Sequence, residues 1–282
     1  MAVFYNQASL TYGGTTTRSN ITVGEINEPV KVTKTALSGT YRAGDRAAYV
    51  ISIVNSGGTA LSGLIFRDNL GSYTVDGDTY TPLDYVEGTV RYYIDGVLQP
   101  APGVTLGPPL TFEGINVPAG GNVLIVYETE VNGFAPMNVG GEITNTVTVS
   151  GEALEMPVTA SETIAAENSA LLSITKSIEP KTVSGGERVT YTFVIQNTGN
   201  TAAEDDAVLR DTFNPRLTSL EVTLNGATIS SPASYTYDET TGVFETVPGV
   251  IKVPAASYSQ NPATGLWEVT PGMSVLTVSG II

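Results

Sequence analysis

The chain contains no cysteine and no histidine. The first absence excludes disulfides and thiolate metal sites; the second removes the usual metal ligand and general base. No serine or threonine stands in a recognisable nucleophile setting, so no enzyme action on an external substrate, no metal and no cofactor is expected. Basic residues are scarce as well: 13 Lys and Arg stand against 28 Asp and Glu, a net charge of −15. That balance argues against nucleic acid and anionic membranes as partners and for a self-repelling surface. No apolar run is long enough to span a bilayer. No basic start with an apolar stretch marks a secretory signal, and no wall-sorting or lipidation signal is visible. The expectation is a protein made in the cytoplasm without a signal peptide. Helical periodicity is missing too: no stretch of about a dozen residues reads as an amphipathic helix.

What is present is alternation. Threonine, valine, glycine, asparagine and proline abound, and apolar residues recur at every second position, which predicts an all-β fold. With 282 residues the chain has room for two sandwich-sized domains, each burying a core of its own. The second copies the first. Val30, Val32 and Lys34 match Leu172, Ile174 and Lys176; Gly44 and Tyr49 match Gly186 and Tyr191. Asn55 and Gly57 match Asn197 and Gly199, and Arg67-Asp68 matches Arg210-Asp211. Asp95-Gly96 and Asn225-Gly226 are hairpin dipeptides that tolerate positive φ. Short strands punctuated in this way predict two tandem immunoglobulin-like β-sandwich domains. Residues 27–166 form the first repeat and 167–282 the second, which carries an extra hairpin near Tyr258 and Trp267.

The two ends read as halves of a missing domain. Residues 142–151 and 158–164 are the strand pair that closes the first repeat. Residues 1–26 carry the same pair, 4–14 followed by 19–26. Residues 271–278 match 118–126, the strand that precedes the closing pair, and nothing after them resembles that pair. The second repeat is therefore expected to be an incomplete acceptor, and residues 1–26 a donor hairpin that completes the second repeat of a neighbouring subunit.

Polar residues occupy apolar faces at matching places. Lys34 shares a face with Val30 and Val32, and Lys176 with Leu172 and Ile174, although the whole chain has only five lysines. Asp68 lies in phase with Leu64 and Phe66, Asp211 with Leu209 and Phe213, Asn145 with Ile143 and Val147, and Asn6 with Phe4 and Leu10. A buried unpaired charge costs several kcal/mol, so each group needs a partner. Two readings follow. In the plain one, Lys and Asp form a hydrogen-bonded ion pair with Asn as a neighbour. In the other, an apolar site disfavours the charged amine and raises the pKa of the acid. The neutral amine then attacks the carboxamide, the protonated acid polarises its carbonyl, and ammonia leaves. The second resembles the spontaneous isopeptide bonds of Gram-positive surface domains. It assigns Asp68 and Asp211 as the acids, Lys34 with Asn145 as a link within one chain, and Lys176 with Asn6 as a link between chains.

Other features carry less. Glu204-Asp205-Asp206 lacks the spacing of a calcium loop and reads as a solvated turn. Gly13-Gly14 and Gly120-Gly121 read as turns, since no helix follows them to make a phosphate loop.

The Thr-Lys of the first strand, the Tyr and Asn-x-Gly motifs, the Arg-Asp strand and the closing Ile143-Thr144-Asn145-Thr146-Val147 together resemble the bacterial conserved repeat family known as domain of unknown function eleven. The two-repeat form is similar to clostridial proteins that build ribbon-like endospore appendages. The resemblance implies a structural fibre subunit on a spore surface or in an extracellular appendage. Its main partner would be itself, head to tail, with anchoring proteins on the spore as further partners. An adhesive or ligand-binding module with the repeats as stalks is the alternative; a hairpin folded back on its own second repeat is a third arrangement.

Overall fold

A computed structural model describes residues 2–26 and 29–282, and none of them is helical. The expected all-β, immunoglobulin-like class is what the chain adopts. The chain divides into two compact units, residues 1–39, 44–132 and 143–164 in one and residues 40–43, 133–142 and 165–282 in the other. The boundary expected at residue 27 lies outside the described residues.

The first unit packs two sheets face to face. One runs Val97–Gln99, Arg91–Ile94, Asn122–Val131, Arg46–Asn55 and Val30–Ala36, in that order. The other runs Gly103–Thr105, Leu110–Val117, Leu61–Asp68, Glu142–Ser150 and Val158–Ala166. Every second residue along Arg46–Asn55 turns inward, which places Ala47, Tyr49, Ile51 and Ile53 in the core. Glu142–Ser150 does the same from the opposite sheet with Ile143, Asn145, Val147 and Val149. Side chains of β-branched and aromatic type suit this half-buried pleated surface.

The second unit repeats the first sheet almost in full: Leu172–Glu179, Arg188–Asn197, Gly272–Ile281, Thr218–Leu224 and Ala227–Ile229. Its other sheet is much reduced. Arg210–Thr212 pairs with Val243–Thr246, which pairs with Tyr235–Asp238. Among the described residues no strand lies on the outer side of Arg210–Thr212, where the first unit has Glu142–Ser150 and Val158–Ala166. The consequence is visible in burial. Val32 and Lys34 are buried on the opening strand of the first repeat, whereas Leu172 and Ile174 of its copy are 45% and 55% exposed. The alternation is the same; the covering layer is not.

The Asn-x-Gly motifs are explained by loop closure. Asn55 donates from Nδ2 to the carbonyls of Thr59 and Pro118, and its Oδ1 accepts from the Gly57 amide. Asn197 repeats the set with Thr201, Pro254 and Gly199. A Cβ at Gly199 would meet the Ser169 carbonyl oxygen at 2.1 Å, so only glycine fits. This also corrects the alignment of Pro118 with Pro271. Pro254 holds the Pro118 place, and the extra hairpin, Ser257–Gln260 paired with Trp267–Thr270, is inserted behind it.

The N-terminal segment is a long hairpin. Ala2–Asn6 pairs with Thr22–Ile26 and Ser9–Tyr12 with Thr15–Arg18. Gly13 and Gly14, at φ 59° and 80°, make a turn whose twist matches the flanking strands. Among the described residues these strands pair only with one another. Phe4, Leu10, Ile21 and Val23 are exposed, and Tyr12 is 88% exposed. An isolated two-stranded hairpin is marginally stable in water, so an apolar one left uncovered is unusual.

Candidate functional site

Two sheets bring Lys34, Asp68 and Asn145 together. Lys34 lies on Val30–Ala36, opposite Ile51, and points into the sandwich. Asp68 ends the strand Leu61–Asp68, opposite Val147; Asn145, two residues before Val147, faces the same way. All three are buried. Lys34 Nζ is 2.5 Å from Asp68 Oδ2. The Tyr127 hydroxyl donates to the same oxygen, and the Leu70 amide donates to Oδ1 at 2.9 Å. Asn145 Nδ2 donates to the Tyr127 hydroxyl at 3.4 Å; among the described residues its Oδ1 has no hydrogen-bond partner, and the Tyr49 hydroxyl makes no well-formed hydrogen bond. The ammonium also sits 5.0 Å from the centroid of the Tyr49 ring, which stacks on Tyr127 at 5.8 Å.

Burial dominates the electrostatics. Loss of water lowers the Lys34 pKa to about 8, against the opposing pull of Asp68. Burial first, and the Asp68 charge second, push both Tyr49 and Tyr127 well up. The arrangement therefore combines a deprotonatable amine, a carboxylate that accepts hydrogen bonds, and a dry carboxamide.

The second repeat holds a partial copy. Lys176 pairs with Asp211, but their side chains are 41% and 19% exposed. Lys176 Nζ lies over Tyr191 at 4.7 Å and over Phe193 and Phe213 at 5.4 Å. Beside the pair runs an apolar groove of about 260 Å³, lined by Leu172, Ile174, Ile195, Ala207, Leu209 and Ile251. Asn6, the expected third member, lies exposed on the hairpin, within the first unit.

The phase of the strands pointed to the Lys, Asp and Asn positions. It did not single out Tyr127, because a tyrosine on the inward face of Asn122–Val131 reads as ordinary core. The available signal was its hydroxyl: a buried phenol needs a polar partner. Tyr49 was visible as a repeated residue, matched by Tyr191, without a role.

No family model matches the chain, and no curated protein does. Among solved structures it is similar to the major pilin subunit of Bacillus cereus, at 12% identity and a TM-score of 0.37, over 96% of this chain and 73% of that one. The pilus backbone of Streptococcus pneumoniae matches at 14% identity and TM-score 0.33, over 86% of this chain and 55% of that one. A collagen-binding domain from a Staphylococcus aureus adhesin matches at 12% and 0.31, over 50% of this chain and 99% of that one. At such identities and scores these likenesses assign no function to the chain.

Proposed function

We propose that the chain is a fibre subunit that polymerises head to tail, its N-terminal hairpin completing the second repeat of the next subunit, as part of a spore-surface or other extracellular appendage. The observation that carries this is the uncovered edge of Arg210–Thr212 beside an apolar groove, in a chain whose hairpin is itself apolar and unpaired. The first repeat supplies the template. There Val147 lies opposite Asp68 and Val149 opposite Phe66. Transposed, Ala8 lies opposite Asp211 and Leu10 opposite Leu209, and Asn6 falls one pair beyond Asp211, as Asn145 does beyond Asp68. Strand addition of this kind uses main-chain hydrogen bonds for affinity and alternate side chains for fit. Burying Phe4, Leu10 and Tyr12 contributes roughly 1.5–3 kcal/mol each before ordering costs. A head-to-tail contact is heterologous and need not close, so it propagates.

Strand pairing alone is reversible; an amide between Lys176 and Asn6 would make the link between subunits permanent, and another between Lys34 and Asn145 would lock the first repeat. Insertion of the donor also covers Lys176 and Asp211, giving the second site the dryness that the first already has. Negative-stain microscopy and boiled-detergent gels test the proposal together. Wild type should form fibres and a ladder of multimers that survives boiling. Asn6→Ala, Lys176→Ala and Asp211→Ala should each collapse the ladder to monomer, whereas Lys34→Ala should leave it intact, its bond lying within one chain. Deletion of residues 1–26 should abolish the fibres, and fibres of normal length from that truncation would overturn donor-strand assembly.

A further inference from the structure

The proposed amide chemistry leaves one requirement unmet. Attack of an amine on a carboxamide places negative charge on the amide oxygen, and in a dry pocket that charge needs a hydrogen-bond donor. Asp68 is badly placed to serve. Its Oδ2 already accepts from Lys34 and Tyr127, and its Oδ1 from the Leu70 amide. Three donors converge on it, which suits an acceptor of protons and leaves none to give. Asn145 Oδ1, meanwhile, is buried with no partner.

Among the described residues one other polar atom of this pocket lacks a well-formed partner, the Tyr49 hydroxyl. The Asn145 side chain reaches it through the amide nitrogen, yet that contact is not a well-formed hydrogen bond in the resting arrangement. A buried hydroxyl and a buried carbonyl of one pocket, both without a well-formed partner, are each costly alone. They become complementary once charge builds on the oxygen.

The internal duplication separates the two tyrosines. Tyr49 lies opposite Tyr127 in the first repeat, and Tyr191 lies opposite Val278 in the second. Lys, Asp and this first tyrosine therefore recur at both sites, while Tyr127 does not. Tyr191 keeps the geometry of Tyr49 toward the lysine, at 4.7 Å against 5.0 Å from ring centroid to Nζ.

We propose that the Tyr49 hydroxyl is the hydrogen-bond donor to the Asn145 carbonyl oxygen during amide formation, and that Tyr191 plays this part for Asn6 of the incoming hairpin. The proposal rests on the amide reading above. The neutral Lys34 Nζ attacks Cγ of Asn145, and Oδ1 takes the charge and the Tyr49 hydrogen bond. Asp68 removes the proton from Nζ and returns it to Nδ2. The Cγ–Nδ2 bond breaks, Oδ1 regains its double bond, and ammonia leaves; no other reactant is consumed. Burial holds the phenol protonated, so it stays a donor throughout.

Intact-mass measurement tests this in the full chain carrying Asn6→Ala, which leaves the first repeat as the reacting site. That protein should lack the mass of one ammonia when isolated. Adding Tyr49→Phe should give protein that is largely unreacted at isolation and matures roughly a hundredfold more slowly, the usual loss for one such donor. The maturation rate should keep its inflection near pH 8, set by Lys34; an inflection moved toward the ordinary lysine range would mean a loosened pocket and would overturn a direct role. Equal maturation with and without Tyr49 would overturn the proposal while sparing the amide reading. A parent protein that never loses ammonia would overturn both. Tyr191→Phe in the otherwise unaltered chain gives a second readout, as a weakened boiled ladder with fibres still present.

Discussion

Lys34 is an amine held where water does not reach, and its protonation is linked to the stability of the fold. Its ordinary pKa of 10.5 falls to about 8. Between those values the unfolded chain binds the proton and the folded chain does not, so stability rises with pH across that window. Below about pH 8 both states are protonated and the full cost of burying the charge is present. Urea titration of Asn145→Ala, which cannot form the amide, should show this against Asn145→Ala with Lys34→Met. From pH 7 to 10 the difference in stability should grow in favour of the lysine protein by about 2–3 kcal/mol. A flat difference would mean that the amine is not dry. Residues of this kind were legible in the sequence because strand phase exposes a charge on an apolar face. Tyr127 was not, since a tyrosine among Val123 and Ile125 breaks no pattern.

At the scale of elements, the decisive unit is the strand Arg210–Thr212 with one side unpaired. Strand phase puts Lys176 on the face of Leu172 and Ile174 but could not say what covers that face, and here the lysine side chain is 41% exposed because no neighbouring strand of the unit covers it. Similarly, Pro271 passed for the partner of Pro118 because the inserted hairpin separates Pro254 from the strand it introduces, and linear spacing hides such an insertion. The register inferred for the donor is sharp, because a slip of one residue would turn Asn6 and Leu10 to solvent. Since the chain has no cysteine, it can be trapped cleanly. In the first repeat Ser150 lies opposite Ile65, which maps to Thr11 opposite Val208. The double variant Thr11→Cys with Val208→Cys should give disulfide-linked multimers on mild oxidation, seen on non-reducing gels in an Asn6→Ala background. Thr11→Cys with Arg210→Cys, displaced by two residues along the same edge, should give few, as the Cα atoms then lie too far apart to be bridged. Equal yields from the two pairs would rule out the inferred register.

For the whole molecule, the charge of −15 on each chain opposes the proposed encounter of hairpin and groove. Salt shortens the range of that repulsion, from about 30 Å at 0.01 M to about 8 Å at 0.15 M. Fibre growth from purified monomer, followed by light scattering, should therefore accelerate as salt is raised through this range, with little change in the final boiled ladder. Growth that slows with salt would point to attraction between charged patches as the driving contact.

The places of Lys34 and Asn145 in the chain bear on how a fibre would respond to pulling. Lys34 is on the strand by which the chain enters the first sandwich, and Asn145 on the strand by which it begins to leave. With the proposed amides in place, tension arriving at Lys34 crosses straight to Asn145 and runs on along the chain to Lys176. There it passes to the Asn6 of the next subunit. The residues between Lys34 and Asn145 and those beyond Lys176 are then slack, strung beside the line of force like beads on a cord. Stretching such a fibre would strain a covalent thread that includes the donor hairpin and the closing strands Glu142–Ser150 and Val158–Ala166, while the rest of each sandwich stays folded and unloaded.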